Sequence, residues 1–203
     1  NSDIITKGGD VDPRLSPVCQ PIFGINAQTA PNAPNAIVAT VILNSIVKNT
    51  GPGCIRIGGC DYHDGTQTTG DAKDLETGQY IGRAIEVAHR LKKPFVFQLL
   101  TDGGVYSRDG SRMWQGDAGD KSMTVLGYYN PTRAPEMRRL QVGHYTNGQG
   151  ADRDVFFGGN TSLVAYAVFA NYLQAMGKLG DFTKYVPADK FPRERLDEIL
   201  LFA

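Results

Sequence analysis

Three stretches of this 203-residue chain carry side chains of the kind that hold metal ions. Asp61 and His63 stand in the polar loop Cys60-Asp61-Tyr62-His63-Asp64-Gly65. Asp102 follows the apolar run Phe95–Leu100, in Thr101-Asp102-Gly103-Gly104. His144 lies in Gly143-His144-Tyr145, just before Asn147-Gly148. Carboxylate oxygen and imidazole nitrogen together suit zinc, manganese or calcium, depending on how many of each converge. The flanking glycines let a backbone bend closely around an ion. A plainer reading of each residue exists. Asp61 caps its own loop, His63 bonds a backbone carbonyl, His144 ends a strand, and Asp152 and Asp154 solvate a loop. His89 has only the plain reading: an imidazole in the last turn of a helix complements the helix dipole.

The elements that must position these residues are legible in part. Asn35 reads as a cap for a helix over Ala36–Lys48, with Ile37 and Val41, and Val38 and Ile42 as further candidates, on its apolar face. Cys54–Ile57 reads as a short strand between Gly51-Pro52-Gly53 and Gly58-Gly59. An amphipathic helix follows over about Ala72–Lys92, its apolar face expected at Leu75, Ile81, Ile85, Ala88 and Leu91, with Pro94 as its stop. Phe95–Leu100 is nearly continuous in apolar residues, as for a strand covered on both faces. Met123–Tyr129 and Leu140–Tyr145 read as further strands. Asn160 caps a helix over Thr161–Met176, and a last helix is expected over Arg193–Phe202.

Strand, helix, strand with a crossover of about 35 residues is the signature of a parallel βαβ unit. The expected class is therefore α/β, a parallel or mixed sheet with flanking helices. In such a unit the loops after both strands leave the same sheet edge, which brings Asp61, His63 and Asp102 together where open α/β sheets bind ligands. Residues 1–34 hold prolines at 13, 17, 21, 31 and 34. They read as an irregular arm or linker, leaving 35–203 as a single α/β domain or part of a larger one.

Composition excludes several classes. Lys plus Arg and Asp plus Glu both number 21, so the net charge is zero. No polybasic run is present, which argues against nucleic acid as a partner. No apolar stretch approaches the roughly 18–20 residues of a membrane span. The dinucleotide fingerprint fails because Arg56 stands where its third glycine belongs, and no lysine-bearing phosphate loop occurs, so no nucleotide cofactor is expected. No serine sits in a G-x-S-x-G elbow. Cys19, Cys54 and Cys60 are too few for a disulfide framework, and one bridge or three free thiols fit equally well. The chain begins at Asn1 without a signal segment, so the expectation is a removed leader or a piece of something longer.

Gly59-Cys60-Asp61-Tyr62-His63, then a helix, then Leu99-Leu100-Thr101-Asp102-Gly103 resembles a G-x-D-x-H loop followed by an apolar strand ending in S-[DE]-x-G. That pattern is similar to the carboxyl-terminal part of uncharacterised bacterial secreted proteins related to the alkaline phosphatase and sulfatase superfamily. The likeness covers roughly residues 50–178. It implies a secreted, periplasmic or cell-surface location and a site binding one or two divalent metals. It also implies hydrolysis of phosphate or sulfate esters from a Ser, Thr or modified Cys nucleophile. Asp61 and His63 match the pattern, Asp102 more loosely, and Gly143-His144 is the nearest counterpart of a later Gly-x-His ligand. Departures are plain. Gly103 stands where the second loop usually has histidine, and no nucleophile strand precedes Cys54, since Asp10, Asp12 and Ser16 lie among prolines. The catalytic residue is therefore unassigned.

Three functions compete at this point. One is a metal-binding hydrolase domain, incomplete or inactive as this chain. Another is a non-catalytic surface, filament or particle subunit that assembles as an oligomer through the amino-terminal arm. The last is a carbohydrate-binding module using Trp114, Tyr106, Tyr128 and Tyr129 as stacking surfaces.

Overall fold

The computed structural model describes residues 11–60, 62, 66–101, 103–107, 114–154 and 159–203. Helices α1 (Cys19–Phe23), α2 (Pro34–Ile46) and α3 (Gln67–Leu91) come first. Strands β1 (Phe95–Leu100), β2 (Gly104–Ser107), β3 (Trp114–Ala118) and β4 (Thr124–Tyr129) follow. Helices α4 (Thr161–Ala175), α5 (Phe182–Tyr185) and α6 (Leu196–Ile199) complete the order. The chain is thus mixed helix and strand. It divides into two compact units, one formed by residues 1–61, 66–95 and 129–132, the other by 62–65, 96–128 and 133–203.

In the first unit, Pro34 occupies the first turn of α2, where its missing N–H costs nothing. Helix α2 buries Val38, Ala39, Ile42, Leu43 and Ile46 against Ala84, Val87 and Ala88 of α3. The buried face of α3 is therefore rotated from the expected one. Tyr80, Ala84, Val87, Ala88 and Leu91 face the core, whereas Leu75 is exposed and Ile85 largely so. Lys92, in the left-handed conformation at φ 52°, ends the helix, and Lys93 N donates to Ala88 O at 2.9 Å in the manner of a Schellman turn.

The proline-rich stretch is not a free arm over its described part. Cys19, Phe23 and Ile25 are buried in this same core, because α1 presents Cys19 and Phe23 on one side and Gly24, at φ 64°, turns the chain into Ile25. Arg14 ties the stretch together, donating to both Asp12 oxygens and, through Nη1, to Thr29 O at 3.1 Å. Asn35 Nδ2 donates to Phe23 O at 3.0 Å, so it serves this segment instead of capping α2.

The parallel pair expected between Cys54–Ile57 and Phe95–Leu100 is not found among the described residues. Residues 52–60 carry no strand, and Cys54, Ile55 and Arg56 are exposed. The reason lies at Gly53: a Cβ there would overlap Ser45 Oγ and Val41 Cγ1, so the backbone is laid directly on α2. Strand β1 pairs with β4 instead. Thr101 meets Met123 beyond one end, a Cβ on Gly127 would strike the Phe97 ring, and Phe95 meets Tyr129 at the other end. Those contacts run in opposite directions along the two strands, as in an antiparallel ladder. The second sheet, β2 with β3, is antiparallel too.

In the second unit, α4 packs Ala170 and Leu173 against Phe182, Val186, Phe191, Ile199 and Leu200. Asn160 caps α4 as expected, its Oδ1 accepting from Ser162 N and Leu163 N. The last helix is shorter than its sequence pattern. Buried Asn171 donates to Ile199 O at 2.8 Å and accepts from Leu201 N at 2.7 Å. Phe202 bridges Met137. These side-chain and ladder bonds draw residues 200–202 out of the helix.

Candidate functional site

Hairpin β2–β3 is the platform of the second unit. Its register sets Gly104 opposite Ala118, Tyr106 opposite Gln115 and Ser107 opposite Trp114, with an irregularity between Gly104 and Tyr106. Gly104 is obligatory, since a Cβ there would overlap the Lys121 carbonyl. The Lys121 ammonium lies 5.0 Å from the Tyr106 ring centre, within reach of a cation–π contact.

Three segments meet this hairpin. The first enters at Gly104 itself, from Thr101, whose Oγ1 accepts from Met123 N at 3.0 Å and donates to Met123 O at 3.1 Å. The second is Tyr62, which is buried and whose backbone nitrogen lies 3.6 Å from where a Cβ on Gly116 would stand. The third is a tight turn over residues 144–152. Tyr145 bridges Ala151, and Thr146 N donates to Gly150 O at 2.8 Å. This turn is clamped at two points, to the 119–121 turn that follows β3 and to β2 itself. Tyr145 OH donates to Lys121 O at 2.7 Å. The Gln149 carboxamide takes both backbone groups of Ser107, accepting from its nitrogen at 3.1 Å and donating to its oxygen at 2.7 Å.

His144 begins this turn. Its Nε2 lies 3.1 Å from Asp152 Oδ2, with the imidazole 64% exposed and the carboxylate 17% exposed. The pair is held by backbone bonds as well: Asp152 N donates to His144 O at 2.8 Å, and Asp154 N donates to Asp152 Oδ1 at 2.9 Å. The sequence expectation treated Asp152 as a solvating loop residue and Leu140–Tyr145 as a strand. The stretch is instead irregular with a single bridge at Tyr145. Asn147-Gly148 was the available signal, since such a dipeptide folds the chain back and sets the residues on either side opposite one another.

Asp61, His63 and Asp102 lie outside the described residues. Among the described residues no group of three metal-ligating side chains occurs. His89 stands in the last turn of α3, as expected, and its Nδ1 lies 2.8 Å from Tyr129 OH. Of the aromatic residues offered for stacking, Tyr106, Tyr128 and Tyr129 are engaged in packing. Tyr128 meets Phe202 edge-on at 5.8 Å, Tyr129 meets His89 and Phe95, and Tyr106 lies under Lys121. Asp12 and Ser16, the described polar groups of the proline-rich stretch, are also committed locally. The Arg14 guanidinium holds the Asp12 carboxyl below its usual range, and Ser16 Oγ accepts from Cys19 N at 3.4 Å. Cys19, Cys54 and Cys60 are in no disulfide, Cys19 buried and the other two exposed; burial raises the Cys19 thiol above its usual pKa. No helix is long and apolar enough to cross a membrane among the described residues.

No protein-family model, no curated protein and no solved structure matches this chain.

Proposed function

We propose that this chain is a metal-binding, hydrolase-like domain of the alkaline phosphatase and sulfatase type, located outside the cytoplasm, with Asp61, His63, Asp102 and His144 as its ligand set. One observation carries the reading. Tyr62 beside His63 lies against Gly116 of β3, Thr101 beside Asp102 stands three residues before Gly104 of β2, and Tyr145 beside His144 bonds Lys121, whose carbonyl lies against Gly104. Residues far apart in sequence thus have their chain neighbours gathered on one short platform. The donor chemistry fits a divalent cation of the zinc, manganese or calcium kind, because two carboxylates and two imidazoles supply both charge and directional nitrogen ligands. Bound there, such a cation polarises an ester oxygen.

Turnover by this chain alone is expected to be negligible. Chemistry of this type requires a positioned nucleophile, and Ser16 is spent on the start of α1. Residues that act as one unit fail together when one is missing. The test is metal content of the purified protein by elemental analysis, then hydrolysis of nitrophenyl phosphate and nitrophenyl sulfate with added zinc, manganese or calcium, beside His63→Ala. Stoichiometric metal that falls in the variant, with no turnover in either protein, is the expected result. Metal-free protein under all conditions defeats the reading.

A second reading, a non-catalytic assembly subunit, is favoured by apolar side chains left in solvent, Leu140 at 87% exposure foremost among them. Ordered oligomers of metal-free protein in sedimentation experiments would establish it.

A further inference from the structure

We propose that Asp152 is a positioning residue that fixes His144 as its Nε2–H tautomer, leaving Nδ1 as the atom that takes the cation; this rests on the metal-site reading above. A neutral imidazole has one donor and one acceptor nitrogen, and the partner of one decides the role of the other. Here Nε2 faces Asp152 Oδ2 at 3.1 Å. An ionised carboxylate only accepts, so the proton belongs on Nε2 and the lone pair on Nδ1.

The carboxylate is itself immobilised. Asp154 N–H holds its other oxygen at 2.9 Å, and its own N–H is bonded to the His144 carbonyl at 2.8 Å. The Asp152 side chain is largely buried, while the imidazole is mostly exposed. A fixed acceptor behind a ring with an open side is the arrangement by which carboxylates orient metal-binding histidines and raise their basicity. The bonds of Gln149 to Ser107 and of Tyr145 to Lys121 hold the turn that carries His144 against β2 and the 119–121 turn, and Tyr62 approaches the same hairpin at Gly116.

The alternative roles of Asp152 make different atoms respond. Were it a ligand itself, the cation would break the Nε2 contact. Were it a solvating loop residue, the tautomer would be indifferent to its removal. Long-range proton–nitrogen NMR of the ring nitrogens at about pH 8, where an unperturbed imidazole is neutral, separates these cases. The His144 signals are assigned by their loss in His144→Ala. The expected spectrum of the metal-free protein has a protonated Nε2 and a bare Nδ1, and added zinc shifts Nδ1 while Nε2 keeps its proton. In Asp152→Ala the tautomers mix and zinc affinity falls about ten- to a hundredfold.

A protonated Nδ1 in the metal-free protein, or zinc shifting Nε2, overturns the proposal even though metal binding stands. Unchanged zinc affinity in a folded Asp152→Ala protein overturns it as well. The Nε2–H tautomer with no response to zinc would uphold the His144–Asp152 orientation, refute Nδ1 as the ligand atom and bring down the metal-site reading. The first measurement does not use Asp152→Ala, so it decides the tautomer even where that variant fails to fold.

Discussion

Gly104 shows how a single missing side chain fixes the candidate platform. Its neighbour is the carbonyl of Lys121, a backbone group that cannot swing aside. Gly104→Ala must therefore push strand β2 away from the 119–121 turn, and overpacking of this kind costs about 1–3 kcal/mol. The expected outcome is a lower urea midpoint together with slackening of the Tyr145–Lys121 contact, since Tyr145 bonds that same carbonyl. Gly116→Ala is the contrast. Its Cβ would meet Tyr62 N at an ordinary 3.6 Å, so its stability should stay close to that of the parent protein. Equal midpoints for Gly104→Ala and the parent would defeat the argument. Ligand types at this scale were legible in the sequence, because Asp and His are chemically explicit. Partnership was not. Nothing in the spacing of His144 and Asp152 states a hydrogen bond, and only the fold of the intervening turn makes one.

Among the elements, the long helices and the strands β1 and β4 were readable, and the pairing of the strands was not. The existence of α2, α3 and α4 follows from apolar periodicity, caps and stops, and all three are present within a few residues of expectation. The buried face of α3 was mistaken because a 25-residue helix offers more than one apolar line, and which line is used depends on α2, a tertiary matter. The strand expected at Cys54–Ile57 failed for a similar reason: a four-residue run with two isoleucines does not pair unless a neighbouring strand is in reach, and the backbone at Gly53 lies against α2 instead. Asn171 makes the point testable. It is 1% exposed and satisfies Ala167 O, Ile199 O and Leu201 N from the middle of α4. Asn171→Ala leaves the last two without their buried partner, at a cost of about 1–3 kcal/mol for each orphaned group. The expected outcome is a loss of at least about 2 kcal/mol in urea unfolding and faster amide exchange at Leu201. Exchange at Leu201 that matches the parent protein would show that the carboxy-terminal segment is held by something else.

For the whole molecule, zero net charge hides a consistent local arrangement, in which carboxylates of both units are paired with nearby cations. Hydrogen bonding from Arg14 lowers the Asp12 pKa, and in the same unit Lys73 does so for Glu76. In the other unit Asp181, Asp197 and Glu198 are lowered by Lys184, Arg138 and Arg195. A carboxyl whose folded pKa lies below its unfolded value stabilises the fold above that unfolded value, and the contribution is lost as pH falls through the folded one. The paired lysines shift the other way, Lys73 and Lys184 both upward. Their contribution is complete below the ordinary lysine range and is lost only as pH rises beyond it. The two signs together predict a flat stability plateau across neutral pH, with an acid limb beginning near pH 4, where unperturbed carboxylates start to protonate. Most of these pairs are solvent-exposed, where an ion pair contributes little and salt screens it. The Asp12–Arg14 pair differs, with both side chains about three-quarters covered and Arg14 also tied to Thr29. Added salt at about 0.5 M should therefore flatten much of the acid limb, while Asp12→Asn removes a part that salt leaves in place. The measurement is urea stability from pH 3 to pH 8 for the parent and Asp12→Asn proteins, with and without salt. An acid limb of the same depth in both proteins at high salt would show that the Asp12 pair does not stabilise the fold, and a stability that climbs below pH 4 would reverse the sign of the whole argument.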